Sequence, residues 1–153
     1  MLHFRLIYDE ILKSNVFASS RPGRTDARVI LILALLLKYK CLRRKMILFL
    51  IQHIDPCIQE TGSMGQRTVK TCIERGWIKM QEQRGAREKG LYSITQAGKK
   101  HLYELINEYF QGETVQNMVS VLDAYAAGRT NMELSQHKEA EIAAALKMVL
   151  SDY

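Results

Sequence analysis

The sequence predicts a mainly α-helical protein with one small β-hairpin, an α+β fold. Most of the chain repeats apolar residues at intervals of three and four, the spacing of amphipathic helices. On either side of a loop bounded by Gly85 and Gly90, apolar and polar residues alternate instead, which is typical of paired strands. Only two prolines occur in 153 residues, so long helices are permitted over most of the chain.

The N-terminal part of the chain is predicted to form two helices. Residues 3–17 place apolar side chains on one face at helical spacing. Residues 19–25 are rich in serine, glycine and proline and predict a loop. Thr25 or Asp26 can then cap the second helix. Its run over residues 29–37 is apolar on nearly every side and too short to cross a bilayer, which predicts a central core helix.

The next predicted helix, over residues 42–54, carries three cations in its first turn: Arg43, Arg44 and Lys45. The helix dipole disfavours positive charge at this end unless an anion lies nearby. These residues are therefore candidates for phosphate contact, with plain solvation as the open alternative.

A short helix follows, and both of its ends are marked in the sequence. Ser63 followed by Gln66 forms a capping box at the start. Gly76 suits the left-handed residue that closes a helix. Three apolar residues between these signals are expected to face the core: Val69, Cys72 and Ile73.

The hairpin and three further helices complete the predicted order. Ile78 and Met80 alternate with polar residues before the loop, and Tyr92 and Ile94 do so after it, anchoring the hairpin to the core. The helix after the hairpin has four apolar residues on one face: Leu102, Leu105, Ile106 and Tyr109. Two more apolar stripes span residues 115–125 and 142–150.

The outermost helices exceed what a small core needs. We expect residues 3–17 and 113–150 to build a symmetric homodimer. The open alternative is that they fold back onto their own monomer.

The formal net charge of +6 is concentrated in one segment. Residues 66–100 contain nine basic and three acidic residues, a difference equal to the whole excess. Such a concentration is typical of a surface that binds a polyanion, with a solvated basic face as the alternative.

The cysteines and histidines indicate neither a disulfide scaffold nor a metal site. The cysteine count is odd, no C-x-x-C occurs, and the spacing of His53 and Cys57 matches no standard zinc pattern. The sequence also has no phosphate-binding glycine loop and no nucleophile–base pair at a recognisable spacing. We therefore expect no metal, no cofactor and no enzymatic activity, and a reducing cytoplasm fits the free cysteines.

Residues 66–102 resemble winged helix-turn-helix DNA-binding domains, most closely the MarR and PadR types of bacterial regulator (QRTVKTCIERGWIKMQEQRGAREKGLYSITQAGKKHL). A polar-faced helix ends in ERGWIK, a basic hairpin follows, and YSITQAG is close to the L-T-x-x-G that opens the next helix. The resemblance implies a winged-helix DNA-binding domain at 25–110. The apolar patterns add an N-terminal helix and loop at 1–24, for dimerisation or packing, and C-terminal helices at 111–153, for dimerisation. It also implies that the short helix enters the major groove while the hairpin, the wing, reaches the backbone or minor groove.

The predicted DNA-binding residues lie on the short helix and on the wing. Glutamine and arginine suit bidentate contacts to adenine and guanine, and threonine suits a thymine methyl group or a phosphate. The candidates on the helix are Ser63, Gln66, Arg67, Lys70 and Thr71. The candidates on the wing, for phosphate or minor-groove contact, are Arg84, Arg87 and Lys89.

Together these patterns predict a cytoplasmic, homodimeric binder of double-stranded DNA, a transcriptional regulator that acts by occupying its operator. A replication or segregation protein of a plasmid or phage would use the same surface. A winged-helix module for protein interaction would instead present its basic face to an acidic partner. No membrane association is expected.

Overall fold

A computed structural model describes residues 21–54, 63–80 and 90–127. Within these ranges the protein is mainly helical with a small antiparallel sheet, which agrees with the predicted α+β class. The sheet has three strands, one more than the predicted hairpin. The elements in chain order are α1 (Arg21–Tyr39), β1 (Leu42–Arg43), α2 (Arg44–Ile54), α3 (Ser63–Glu74), β2 (Ile78–Met80), β3 (Leu91–Ile94), α4 (Gln96–Tyr109) and α5 (Glu113–Ala126).

Helix α1 is the centre of the core, which confirms the prediction of a buried helix. Every residue from Val29 to Leu37 is at most 4% exposed. The other four described helices, α2 to α5, and strand β3 all pack on α1. The helix begins at Arg21, so residues 21–25 are helical and not part of a loop as predicted. Thr25 and Asp26 lie inside the helix, so the prediction that one of them caps its start is wrong. Pro22 lies in the first turn, where a helix needs no backbone N–H and tolerates proline.

The sheet has the strand order β1-β3-β2. Strand β1 takes the first two residues of the helix predicted over 42–54, because Leu42 pairs with Tyr92 and Arg43 pairs with Leu91. Leu42 is fully buried whereas Arg43 is exposed, so the two residues alternate as a strand does.

The predicted hairpin is present, with Ile78 opposite Ile94 and Met80 opposite Tyr92. Tyr92 and Ile94 are partly buried and pack on the core, as expected. Ile78 is buried but Met80 is 53% exposed, so the buried face of β2 ends after its first residue.

The end of α3 is closed by the left-handed glycine that the sequence predicts. Gly76 has φ +74°, and its N–H donates to the carbonyl of Ile73 at 3.1 Å. The N–H of Trp77 donates to the carbonyl of Cys72 at 3.0 Å. These two bonds satisfy helix-end carbonyls and turn the chain into β2.

The start of α4 is built directly against this turn. The Thr95 hydroxyl accepts from the N–H of Gly98 at 3.0 Å and lies 2.6 Å from the carbonyl oxygen of Gly76. A Cβ at Gly98 would lie 2.1 Å from the carbonyl oxygen of Trp77, so only glycine fits. The T-x-x-G spacing therefore has a structural reason: it joins the end of α3 to the start of α4.

Helix α5 packs on α1 and α4 of its own chain. Its apolar stripe is used there, since Met118, Leu122 and Tyr125 are fully buried. For residues 113–126 the structure therefore shows the fold-back alternative. Residues 3–17 and the stripe over residues 142–150 lie outside the described residues. In the described part, no helix is both long and apolar enough to span a membrane.

Candidate nucleic-acid interface

The buried face of α3 is rotated from the one that the apolar residues predict, although Val69 and Cys72 are buried as expected. Thr68, Val69 and Cys72 are at most 3% exposed, and Gly65 is buried beside them. Ile73 is 36% exposed, so the prediction that it packs in the core is wrong. Residues 65, 68, 69 and 72 fall on one helical face, and a glycine and a threonine complete it. A prediction made from the spacing of apolar residues alone does not include Gly65 and Thr68 in the buried face.

The opposite face of α3 presents the predicted contact residues to solvent. Gln66, Arg67 and Lys70 are exposed. Thr71 is only partly exposed, and its hydroxyl donates to the Arg67 carbonyl at 3.0 Å, which leaves its oxygen lone pairs and its methyl group for a partner. Ser63 is the first residue of the helix, and its side chain lies outside the described part.

Glu74 forms an ion pair with one of these cations. Its carboxylate lies 3.9 Å from the Lys70 ammonium, and the two side chains are 63% and 71% exposed. An exposed pair of this kind is worth at most about 1 kcal/mol. Lys70 can therefore exchange Glu74 for a phosphate at little cost.

One of the cations at the start of α2, Arg44, contacts the first turn of α3. Arg43, Arg44 and Lys45 are all exposed, and the Arg44 Nη2 donates to the Gln66 carbonyl at 3.4 Å. The helix begins at Arg44, so Arg43 is a strand residue and not part of the first helical turn as predicted. This hydrogen bond thus connects the predicted basic residues at the start of α2 with the predicted contact residues of α3.

Arg43 also lies at the end of the sheet from which the wing departs. It pairs with Leu91, which directly follows Gly90, and the other wing strand ends at Met80. The predicted wing residues Arg84, Arg87 and Lys89 lie outside the described part.

Charge is divided sharply between two regions of the described chain. The basic region, residues 42–54 and 63–80, contains one acidic residue, Glu74, and seven exposed basic residues: Arg43, Arg44, Lys45, Arg67, Lys70, Arg75 and Lys79. The α4–α5 region, residues 96–127, contains two basic residues and four exposed acidic residues: Glu104, Glu108, Glu113 and Asp123. Arg75 and Lys79 belong to the basic region, although they are not among the predicted contact residues. The local excess of positive charge is the feature of the sequence that could have identified them.

Burial shifts the pKa of a cysteine on α3 and of a lysine on α1. Burial raises the pKa of the Cys72 thiol to about 12, so this cysteine stays protonated and packs as an apolar residue. Burial also lowers the pKa of Lys38, whose ammonium lies 5.2 Å from the centre of the Tyr125 ring. Across the described ranges, no group of three or more potential metal ligands is assembled.

Comparisons with protein-family models, with curated proteins and with solved structures gave no match.

Proposed function

We propose that the protein binds double-stranded DNA through a winged-helix domain and regulates transcription by occupying its operator. The described element order of helix, strand, two helices, hairpin and helix supports this proposal, because it agrees with the winged-helix resemblance. The observation that carries the proposal is the exposed basic region, in which the start of α2 contacts the first turn of α3.

The electrostatics of this region suit a polyanion. The basic region contains seven exposed cations and one carboxylate. The hydrogen bond from Arg44 to the Gln66 carbonyl connects its helices α2 and α3. Cations that neutralise phosphates release condensed counterions, which supplies most of the sequence-independent affinity for DNA. Arg43, Arg44 and Lys45 serve this role in the proposal, and Arg84, Arg87 and Lys89 on the wing extend it to the backbone or minor groove.

The outer face of α3 suits base recognition. An α-helix fits the major groove of B-DNA, which is about 12 Å wide. Gln66 can make a bidentate contact to adenine, Arg67 can make one to guanine, and Lys70 can reach guanine or a phosphate. None of these three side chains is needed in the core, because all are exposed.

Operator occupancy follows if these contacts compete with other proteins for the same DNA. A homodimer would present two such helices to two half-sites, with the spacing set by the dimer. The homodimer is part of the proposal, and the terminal segments proposed to form it lie outside the described residues.

A titration of labelled duplex DNA across salt concentration tests the proposal. We expect binding at low salt that weakens by orders of magnitude at moderate salt, because each neutralised phosphate adds to the salt dependence. Sequences selected from random duplex DNA should share a motif. If no duplex binding is measurable at low salt, the proposal is wrong.

Two single variants test the assignment of α3. Arg67→Ala and Lys70→Ala should each weaken binding about tenfold, in line with the loss of one base or phosphate contact, without changing the stability. Lys100→Ala, which removes an exposed lysine from α4, is the matched control and should bind like the wild type. If both α3 variants also bind like the wild type, α3 is not the recognition helix.

A further inference from the structure

Large apolar side chains are exposed at two positions in the described part of the chain, and both belong to the unit of α3 and β2. Ile73 is 36% exposed on the last turn of α3, and Met80 is 53% exposed at the end of β2. Every other large apolar residue whose side chain the structure describes is buried or half-buried. The exposed apolar surface therefore lies within the basic region.

Ile73 shares a stripe with two of the proposed contact residues. Gln66, Lys70 and Ile73 are spaced by four and three residues, so they follow one another along the same side of the helix. All three are exposed, while Val69 and Cys72 form the buried side. Ile73 thus extends the proposed reading face towards the end of the helix.

The surroundings of Ile73 favour a small apolar target in an anionic partner. Protein-docking surfaces are often marked by a contiguous apolar patch on the order of several hundred Å². Ile73 instead has charged neighbours on its helix and directly after it, including Lys70, Glu74 and Arg75. The major groove of DNA offers one apolar group of matching size, the C5 methyl of thymine.

We propose that Ile73 determines sequence specificity by contacting a thymine methyl group in the major groove. This inference rests on the proposed DNA binding. Gln66 and Ile73 are seven residues apart, about 10.5 Å along the helix. Both side chains lie on the same side of the helix, so the contacted thymine should lie within a few base pairs of the base pair that Gln66 contacts.

The test uses the full chain and a duplex selected from random sequences. Each thymine is replaced in turn by deoxyuridine, which removes only the C5 methyl group. For the wild type, one replacement should weaken binding about fourfold, the effect of exposing one buried methyl group. For Ile73→Ala, the same replacement should have no effect, while Lys70→Ala should keep the fourfold loss. Thermal unfolding of each variant confirms that the binding-competent fold is retained.

The outcomes separate this inference from the proposed function. If the wild type binds the selected duplex but no deoxyuridine replacement matters, or the selected site has no fixed thymine, Ile73 has no such role and DNA binding stands. If the replacement weakens Ile73→Ala as much as the wild type, another residue contacts the methyl group. If the wild type binds no duplex at low salt, the proposed function fails and this inference fails with it.

Discussion

The basic region and the α4–α5 region are both built from amphipathic helices on the same central helix, but they bury different side chains. Helix α5 contributes Met118, Leu122 and Tyr125 to the core and exposes acidic residues. Helix α3 contributes the smaller residues Gly65, Thr68, Val69 and Cys72 and exposes basic ones. The α4–α5 region therefore supplies large apolar contacts for stability. The outer residues of α3 are free of that task and can be selected for what they bind.

The largest effect expected from this comparison is on stability in α5. Leu122→Ala should lower the free energy of unfolding by about 3 kcal/mol, because a fully buried leucine leaves a cavity. Chemical denaturation measures the change. Gln116→Ala, at an exposed position of the same helix, should stay within about 0.5 kcal/mol of the wild type. Equal effects of the two variants would mean that α5 does not pack on its own chain.

The close packing of α4 on the turn after α3, where the two regions meet, should be nearly as sensitive to substitution. Gly98→Ala forces a methyl group against the backbone carbonyl of Trp77 and should cost about 2 kcal/mol of stability. Ala97→Ser, at the exposed neighbouring position, should cost about 0.5 kcal/mol by helix propensity alone. If Gly98→Ala unfolds at the same denaturant concentration as the wild type, the close approach of α4 to the turn after α3 is wrong.

Within α3, two apolar residues should respond differently to truncation. Val69→Ala removes two buried methyl groups and should cost about 1.5 kcal/mol, at about 0.8 kcal/mol for each. Ile73→Ala removes three carbons but should cost only about 1 kcal/mol, because its side chain is 36% exposed and alanine has the better helix propensity. Denaturation of both variants compares the two sides of the helix directly. A larger loss for Ile73→Ala would restore the packing first expected from the apolar spacing.

The last expected effect concerns the hydrogen bond that connects α4 to α1. The Tyr109 hydroxyl donates to the Asp26 carboxylate, and this hydrogen bond raises the pKa of Tyr109 from its ordinary value of 10.0 to about 12. Tyr109→Phe should lose about 1 kcal/mol of stability at neutral pH. A raised pKa stabilises the folded protein fully below the unfolded pKa, and this advantage is lost as pH rises through the folded pKa.

The difference in unfolding free energy between the wild type and Tyr109→Phe should therefore shrink between pH 10 and about pH 12. Comparing the two proteins at each pH cancels the titration of all other groups. A difference that stays constant over this range would contradict the hydrogen bond to Asp26.

Elements whose causes are local could be predicted from the sequence. The apolar run over residues 29–37, the left-handed Gly76 and the capping Thr95 each have their reason within a few residues. Elements decided by distant partners could not. Strand β1 is only two residues long and exists because Leu42 and Arg43 pair with β3. Its residues carry no period of their own, so tertiary pairing overrides the helical pattern.

The same limit applies to the candidate site. The exposure of Gln66, Arg67 and Lys70 was predictable because polar residues seldom face a core. The rotation of α3 that exposes Ile73 was not, because it depends on Gly65 and Thr68 packing against neighbouring elements. The Arg44 contact to the Gln66 carbonyl joins residues 22 positions apart and leaves no sequence pattern.

Backbone amide chemical shifts recorded during titration with the selected duplex DNA test the central claim most directly. The account predicts that amides of the basic region, residues 42–54 and 63–80, shift strongly, with the largest changes in α3. Amides of α5 should shift little, because that helix is acidic outside and buried inside. Shifts concentrated on α5, or no shifts in α3 at saturating DNA, would contradict the account.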